Sequence, residues 1–296
     1  MRIVHDKDVP FIRSETQHRE PNIEFKRLLQ GTPGSPQNYE FTLAKSPGRF
    51  LSPRHHHNFD QIRLCLDGKF GDGKATDLAP GEVGYYGEGG YYSIDSTDSL
   101  VLLLQFGGAN GDGFTSYSDL FRAYHEMTKL GEFRNGVFFR NQRTNLPPDV
   151  KPNQDGYEAL WQHINGKPVT YREPRYRNPV IMNPAHAAAL PDAEQAGVFR
   201  STLGVFTERL IDITQIKVTE GAVLAESAPR APKLGYVLSG EAETEGDRLI
   251  AGTAFEIATG ETLHLTAQSD LHIQMITLPW FSDDELLQSR PTAAIV

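Results

Sequence analysis

The chain has 296 residues and a net charge of −9 at neutral pH, which argues against a broad electrostatic surface for nucleic acid or anionic lipid. Its single cysteine, Cys65, excludes an intrachain disulfide and a thiolate-rich metal site. The N-terminus has no apolar run typical of a signal peptide, and no stretch approaches the roughly 20 apolar residues of a membrane span. We therefore expect a cytoplasmic protein without nucleic-acid or membrane partners.

Short strands separated by Gly, Pro, Asn or Asp are predicted over most of the sequence. The 27 glycines and 19 prolines agree with many tight turns. In chain order, the candidate strands are Glu40–Ala44, Ile62–Leu66, Leu100–Phe106, Val180–Met182, Leu210–Thr214, Lys233–Leu238, Phe255–Ile257 and His272–Leu278. The pattern predicts an all-β protein.

Two segments in the middle of the chain have helical spacing instead. Apolar side chains recur at helical intervals in Ser116–Leu130, where Ser116 or Ser118 can cap the start. Apolar side chains also recur at helical intervals in Asp155–Asn165, and Gly166 can end that helix. The Asn- and Pro-rich stretch Asn141–Asn153 predicts a loop between them. Two short helices would therefore join two β-rich halves.

The two halves share a pattern of strand, glycine turn, returning strand and second glycine turn. It occupies residues 63–83 in the first half and residues 235–254 in the second. Such self-similarity indicates one structural unit used twice. We predict an N-terminal barrel with the active site over residues 1–115, a helical linker over 116–175 and a C-terminal barrel over 176–296.

The stretch from Arg54 to Gln61 carries the clearest functional signal. Side chains alternate between the two faces of an unbroken strand. One face would then carry His55, His57, Phe59, Gln61 and Arg63. Two imidazoles converging from one face can hold a transition metal or place an acid beside a base.

The opposite face of the same stretch is apolar, with Ile62 and Leu64. An apolar outer face needs a cover. Either the second half or another copy of the chain could supply it, and on this ground we expect a homodimer.

The spacing His55-x-His57, three residues, Gln61, six residues and Gly68 resembles the first motif of the cupin family. The glycine- and tyrosine-rich stretch 80–92 resembles the second motif of that family. Gln61 stands where the family usually has Glu, and Tyr92 stands where it usually has His.

The resemblance implies a bicupin, an all-β protein with two jelly-roll barrels joined by a short helical segment. Ser227, Pro229 and Lys233 stand at the equivalent places of the second half. The second barrel is therefore expected to be degenerate and to hold no metal.

The resemblance also implies a metal site, with His55, His57 and Gln61 as ligands of Fe, Mn, Ni, Cu or Zn and with no nucleotide cofactor. Gln61 could instead only hydrogen-bond a substrate or fix a histidine tautomer. Tyr92 could bind the metal, donate a proton to substrate or line the site.

Three further residues are candidates for substrate binding. Arg63 could bind a carboxylate or phosphate, or pair with a local carboxylate. Phe59 and Tyr85 would line the site. Glu88 falls in a turn, so we expect it to be solvated.

Three function classes compete for this site. The first is a metal-dependent oxidoreductase, a dioxygenase acting on a small organic molecule. The second is an isomerase, epimerase, cyclase or lyase, with or without a metal. In it, His57 or His55 would remove a proton, and Tyr92 would return one on the opposite side of the substrate. The third is a small-molecule-binding protein without catalysis.

Overall fold

The computed structural model describes residues 1–13, 23–71, 76–111, 114–148 and 150–288. Residue 149, in the predicted loop, lies outside these ranges. Strands dominate the described chain, as the sequence pattern predicted. No helix in these ranges is long and apolar enough to cross a membrane.

The elements fall into three groups along the chain. The first group contains β1 (Arg2–His5), β2 (Ile12–Arg13), β3 (Glu24–Gln30), β4 (Tyr39–His55), β5 (Asp60–Lys69), β6 (Val83–Tyr86) and β7 (Tyr92–Phe106). The middle group contains α1 (Tyr117–Met127), β8 (Gly131–Arg134), β9 (Val137–Arg140), β10 (Asn153–Asp155) and α2 (Gly156–Asn165). The last group contains β11 (Val180–Met182), β12 (Leu190–Pro191), β13 (Val198–Phe206), β14 (Ile211–Val218), β15 (Val223–Ser227), β16 (Lys233–Ser239), β17 (Glu241–Thr244), β18 (Asp247–Ile250), β19 (Thr253–Ile257), β20 (Thr262–Ala267), β21 (Leu271–Thr277) and α3 (Asp283–Gln288).

Two antiparallel sheets, each of seven strands within the described residues, have matching topologies. Their orders are β11-β6-β5-β7-β4-β3-β2 and β1-β19-β16-β21-β14-β13-β12. The halves exchange an edge strand, because β1 pairs with β19 and β11 pairs with β6. A smaller sheet, β15-β20-β17-β18, adds to the second half. The predicted all-β fold with two jelly-roll barrels is confirmed.

The repeated glycine turn has the same geometry in both halves. Gly68 has a φ of +71° and Gly240 a φ of +85°. A side chain at either position would overlap a backbone carbonyl, that of Asp98 in the first half and that of Asp270 in the second. Positive φ and so close an approach favour glycine strongly. The repeat seen in the sequence is therefore also a repeat of backbone structure.

The apolar face of β5 is covered by the second barrel. Ile62 and Leu64 are each 2% exposed and pack in one cluster with residues that include Ile213, Leu234 and Ile276. Burying each such side chain stabilises the fold by about 1.5–3 kcal/mol. The sequence allowed either the second half or another copy of the chain to cover this face. Within the described residues the second half covers it, and the homodimer stays a prediction.

Both predicted helices are present, with the expected capping chemistry. The Ser116 side chain accepts the Asp119 amide at the start of α1, and α2 ends at Gly166, which has a φ of +66°. Helix α1 ends before Gly131, because Gly131 begins the hairpin β8–β9. The three-stranded sheet β10-β9-β8 was not predicted, since strands this short show no distinct hydrophobic period.

Candidate functional site

The histidine pair lies where β4 ends. His55 is the last residue of the strand and lies opposite Tyr92, the first residue of β7. The ring of His55 lies 4.9 Å from that of His57 and 4.5 Å from that of Tyr92, between centroids. An unbroken strand from His55 to Gln61 was a wrong assumption, because β5 begins only at Asp60. The side chains of His55, His57 and Gln61 nevertheless meet around Tyr92.

The main chain orients the His55 ring. Its Nδ1 lies 2.6 Å from the carbonyl oxygen of Pro53 and 3.2 Å from the hydroxyl of Ser52. A carbonyl oxygen can only accept, so this contact assigns the proton to Nδ1 and the lone pair to Nε2. The neutral ring therefore has its basic nitrogen at Nε2.

Gln61, Arg63 and Tyr92 form a closed hydrogen-bonded triangle beside the histidines. The Arg63 Nη2 donates to the Gln61 carbonyl oxygen and, at 3.0 Å, to the Tyr92 oxygen. The Tyr92 hydroxyl donates to the same Gln61 oxygen at 3.0 Å. The three residues are 2%, 5% and 8% exposed, so these bonds are made largely out of water, where they are stronger.

Aromatic rings surround the Arg63 guanidinium. Its central carbon lies 4.8 Å from the Phe70 ring, 4.4 Å from the Tyr86 ring and 4.9 Å from the Tyr92 ring. Burial raises the pKa of Tyr86 to about 12, against a smaller lowering by Arg63, so Tyr86 is neutral at ordinary pH. The residue predicted to bind substrate thus lies deep in the first barrel, next to the predicted acid.

A second aromatic group forms a wall beside His57. The Phe59 ring lies 4.4 Å from His57 and 5.0 Å from Phe114. Tyr157, from α2, lies edge-on to His57 at 6.4 Å and donates from its hydroxyl to Asn58 at 2.8 Å. The sequence placed Phe59 here, but it gave no signal for Phe114 or Tyr157, which arrive from distant segments.

Tyr85, by contrast, lies on the other face of the sheet, away from the histidines. Its hydroxyl donates to Asp60 at 2.7 Å, and its ring stacks on Phe206 of the second barrel at 4.1 Å. Burial raises the pKa of Tyr85 far above its ordinary range, so its hydroxyl remains protonated. The structure does not bring this predicted substrate-lining residue together with the others.

Asp60 and Glu88 form a buried carboxyl pair behind the site. The expectation that Glu88 is solvated is wrong, since it is 5% exposed. Its amide donates to Asp60 at 2.7 Å, and its carboxylate accepts from Asn110. Burial raises the pKa of Asp60 to about 6, and burial and the charge of Asp60 raise the pKa of Glu88 to about 7. The next amide, that of Gly89, donates to the His57 carbonyl at 2.8 Å and so ties the pair to the site.

The donor set does not fit a metal centre with three protein ligands in this arrangement. An amide oxygen has two lone pairs, and that of Gln61 already accepts from Arg63 and Tyr92. Within the described ranges, no group of three or more His, Cys, Asp or Glu side chains could hold an ion. Burial raises the pKa of the Cys65 thiol to about 11, which disfavours a thiolate ligand. Of the three predicted ligands His55, His57 and Gln61, the two histidines remain as candidates in this arrangement.

A stack of rings lies beside the histidine pair. His56 points away from the other histidines and lies between Tyr91 and Tyr171, at 4.2 and 4.0 Å, nearly parallel to both. The Arg54 guanidinium lies 4.1 Å above the outer face of Tyr91. Tyr171 belongs to the irregular segment 166–179 that follows α2, so the stack holds this segment against the barrel.

The second barrel has different chemistry at the matching position. Ser227 stands at the place of His55. It pairs with Thr262 between β15 and β20, as His55 pairs with Tyr92 between β4 and β7. Lys233, at the place of Gln61, forms an ion pair with Glu226, which also pairs with Arg200 at 2.7 Å. A partly buried ion pair therefore stands in place of the imidazoles there.

No protein-family model matches the chain, and no curated protein matches its sequence. Solved structures do match. A Nostoc punctiforme protein described provisionally as a dioxygenase has a TM-score of 0.60 at 9% identity, over 95% of this chain and 86% of its own. A Bacillus subtilis oxalate decarboxylase, studied for its Mn(II) centres, has a TM-score of 0.52 at 15% identity, over 95% of this chain and 78% of its own. A Geobacillus kaustophilus protein has a TM-score of 0.50 at 14% identity, over 94% and 95%. At these identities the similarity shows the fold alone.

Proposed function

We propose that this chain is an enzyme that moves a proton within a small organic substrate, of the isomerase or lyase class. One observation carries the proposal. The Tyr92 hydroxyl lies in a buried hydrogen-bonded group with the cationic Arg63, and its ring is 4.5 Å from that of His55. A phenol beside a fixed cation and an imidazole with an assigned tautomer form an acid and a base within reach of one substrate.

The roles follow from the contacts of each side chain. His55 Nε2 removes a proton from carbon beside a substrate carbonyl, and the C–H electron pair becomes a C=C bond. The Tyr92 hydroxyl turns away from Gln61 and gives its proton to the carbonyl oxygen, which completes an enol. Arg63 stabilises the negative charge that then develops on the phenol oxygen. His57 supports the His55 ring edge-on and can act as base in its place.

Acid and base lie side by side here, not on opposite walls. The ring of Tyr92 contacts that of His55 at 4.5 Å and that of His57 at 5.9 Å. This arrangement favours removal and return of a proton on one face of the substrate, as in a keto–enol or allylic shift. Inversion of a stereocentre needs groups on both faces, so it is less well supported.

Proton exchange with solvent tests the proposal. Purified protein is incubated in heavy water with small carbonyl compounds, and deuterium at carbon is followed by NMR. We expect exchange that falls about 10²- to 10⁴-fold in Tyr92→Phe, since that range is typical for loss of a general acid. Tyr91→Phe, at an exposed ring of the same loop, is the matched control. Turnover without any deuterium at carbon would contradict the proposal.

A metal-dependent dioxygenase is a second proposal, and it is favoured by the spacing of His55 and His57 and by the dioxygenase description of one structural neighbour. It requires Gln61 to release Arg63 and Tyr92 before it can act as a ligand. Metal analysis of protein purified without chelating resin tests it. Close to one equivalent of a transition metal, with activity lost to chelator, supports it. Less than about a tenth of an equivalent, with activity intact, rules it out.

A further inference from the structure

Arg63 is a buried cation without an anionic partner. It is 5% exposed, and its Nη2 donates to the neutral groups Gln61 and Tyr92. Among the residues that the structure describes, no carboxylate lies within 4.0 Å of its guanidinium nitrogens. Lys233, a partly buried cation of the second barrel, differs, since it has Glu226 beside it. A buried charge is costly unless an opposite charge and hydrogen bonds compensate it.

The other terminal nitrogen of Arg63 has no hydrogen-bond partner. Nη1 is buried and is one of few side-chain atoms of the described chain in this condition. It carries two N–H donors. Buried polar groups in native proteins are nearly always bonded, so an unpaired donor on a charged group calls for a missing acceptor.

From these two observations we infer that Arg63 Nη1 binds the carboxylate of the substrate. The inference rests on the proposed function and names its substrate class, a small carbonyl compound that carries a carboxylate. Charge-assisted N–H···O bonds to a carboxylate satisfy both the unpaired donor and the uncompensated charge. Because Phe70, Tyr86 and Tyr92 crowd the guanidinium within 5 Å, a planar carboxylate fits better than a tetrahedral phosphate.

The position of Arg63 also limits the distance between the substrate carboxylate and the substrate oxygen that Tyr92 protonates. Nη2 of the same guanidinium holds the Tyr92 oxygen at 3.0 Å. The substrate carboxylate and the Tyr92 hydroxyl therefore both bond the Arg63 guanidinium. The substrate oxygen that Tyr92 protonates then lies within a few bonds of the carboxylate carbon. This geometry suits 2-oxo and 3-oxo acids of three to about four carbons, the smallest that carry a C–H beside the carbonyl.

A purely structural role is the competing explanation. Three aromatic faces around the guanidinium could stabilise the charge without any ligand. The two roles differ in one measurable way. A ligand-binding arginine discriminates a carboxylate from its neutral amide, whereas an arginine that only packs does not.

Calorimetric titration of the full chain with pyruvate, acetoacetate, pyruvamide and inorganic phosphate tests the inference. We expect one of the acids to bind, and pyruvamide to bind on the order of 10- to 100-fold more weakly than pyruvate. Arg63→Met should lose the discrimination, and Arg63→Lys should retain part of it. Arg134→Met, at an exposed arginine that lies over the Phe139 ring, is the matched control and should bind as the unmodified protein does.

The wild-type comparison of acid with amide stands even where Arg63→Met does not fold. Equal binding of pyruvate and pyruvamide, preferred binding of phosphate, or no binding of any acid would each overturn the inference. The titration needs no turnover. An acid that binds without deuterium exchange would contradict the proposed function alone, whereas exchange in neutral ketones with no preference for acids would contradict the inference alone.

Discussion

The Glu88 amide donates a 2.7 Å hydrogen bond to the Asp60 carboxylate, and so one carboxyl group is held directly behind another. Tyr85 bonds the other Asp60 oxygen and Asn110 bonds one oxygen of Glu88, while Arg172 and Arg175 act on the pair by their charge. Asp60 begins β5 just before Gln61, and Glu88 lies in the loop that leads to Tyr92. The protonation of this pair therefore bears on the elements that build the site.

The raised pKa values of Asp60 and Glu88 predict a stability that falls as pH rises. A carboxyl group whose pKa is higher in the folded than in the unfolded state stabilises the fold below its unfolded value. That stability is lost as pH rises through the folded value, which is about 6 for Asp60 and about 7 for Glu88. Asp60 alone contributes a slope of up to about 1.4 kcal/mol per pH unit between pH 4 and 6.

Urea unfolding between pH 4 and 8 checks this prediction. Asp60→Asn should flatten the fall of the free energy of unfolding between pH 4 and 6, because the variant cannot lose that proton. Glu132→Gln, at an exposed carboxylate, should leave the curve unchanged. An identical slope in wild type and Asp60→Asn would show that Asp60 does not titrate in this range.

Tyr92→Phe should remove the acid with little loss of fold. The ring packs with Tyr86 and His55 and remains in the variant, while Arg63 still bonds Gln61. We expect the free energy of unfolding to fall by about 1 kcal/mol, the net worth of a typical hydrogen bond. Chemical denaturation measures it. A loss above about 4 kcal/mol would mean that the hydroxyl is mainly structural.

The ring stack of Tyr91, His56 and Tyr171 should hold segment 166–179 against the first barrel. Tyr171→Ala removes one of the two rings around His56, so segment 166–179 should open more often. We expect faster amide exchange and faster proteolysis in that segment, with little change in the midpoint of thermal unfolding. Arg177→Ala, exposed on the same segment, should exchange at the wild-type rate. Unchanged exchange in Tyr171→Ala would show that the stack does not hold the segment.

The two barrels should unfold together. Ile62 and Leu234 lie in the cluster between them, so Ile62→Ala should cost about 2–5 kcal/mol of unfolding free energy. Leu51→Ala, at a side chain that is 57% exposed, is the control and should cost far less. Calorimetry should show a single transition in both variants. Two separated transitions would mean that the exchanged strands and shared core do not couple the barrels.

Local pattern accounts for what the sequence predicted well. Alternation within β5 placed Gln61 and Arg63 on one face and Ile62 and Leu64 on the other, because side-chain direction in a strand has a period of two. The turn glycines were visible for a similar reason, since their positive φ restricts the residue type.

Contacts between distant segments account for what the sequence did not reveal. Nothing near Arg2–His5 indicates that it pairs with residues 253–256 of the second barrel. Glu88 was expected to be solvated because turns usually are, yet Asn110 and Asp60 enclose it. Tyr85 was grouped with the site by its neighbours in sequence, whereas strand parity directs it to the opposite face.

A crystal structure of untagged protein with a bound carboxylate, recorded with anomalous scattering, tests the central claim most directly. The account predicts a carboxylate oxygen about 3 Å from Arg63 Nη1, with Gln61 still bonded to Arg63. A strong anomalous peak between His55 and His57, with the Gln61 oxygen turned toward it and the carboxylate remote from Arg63, would contradict the account.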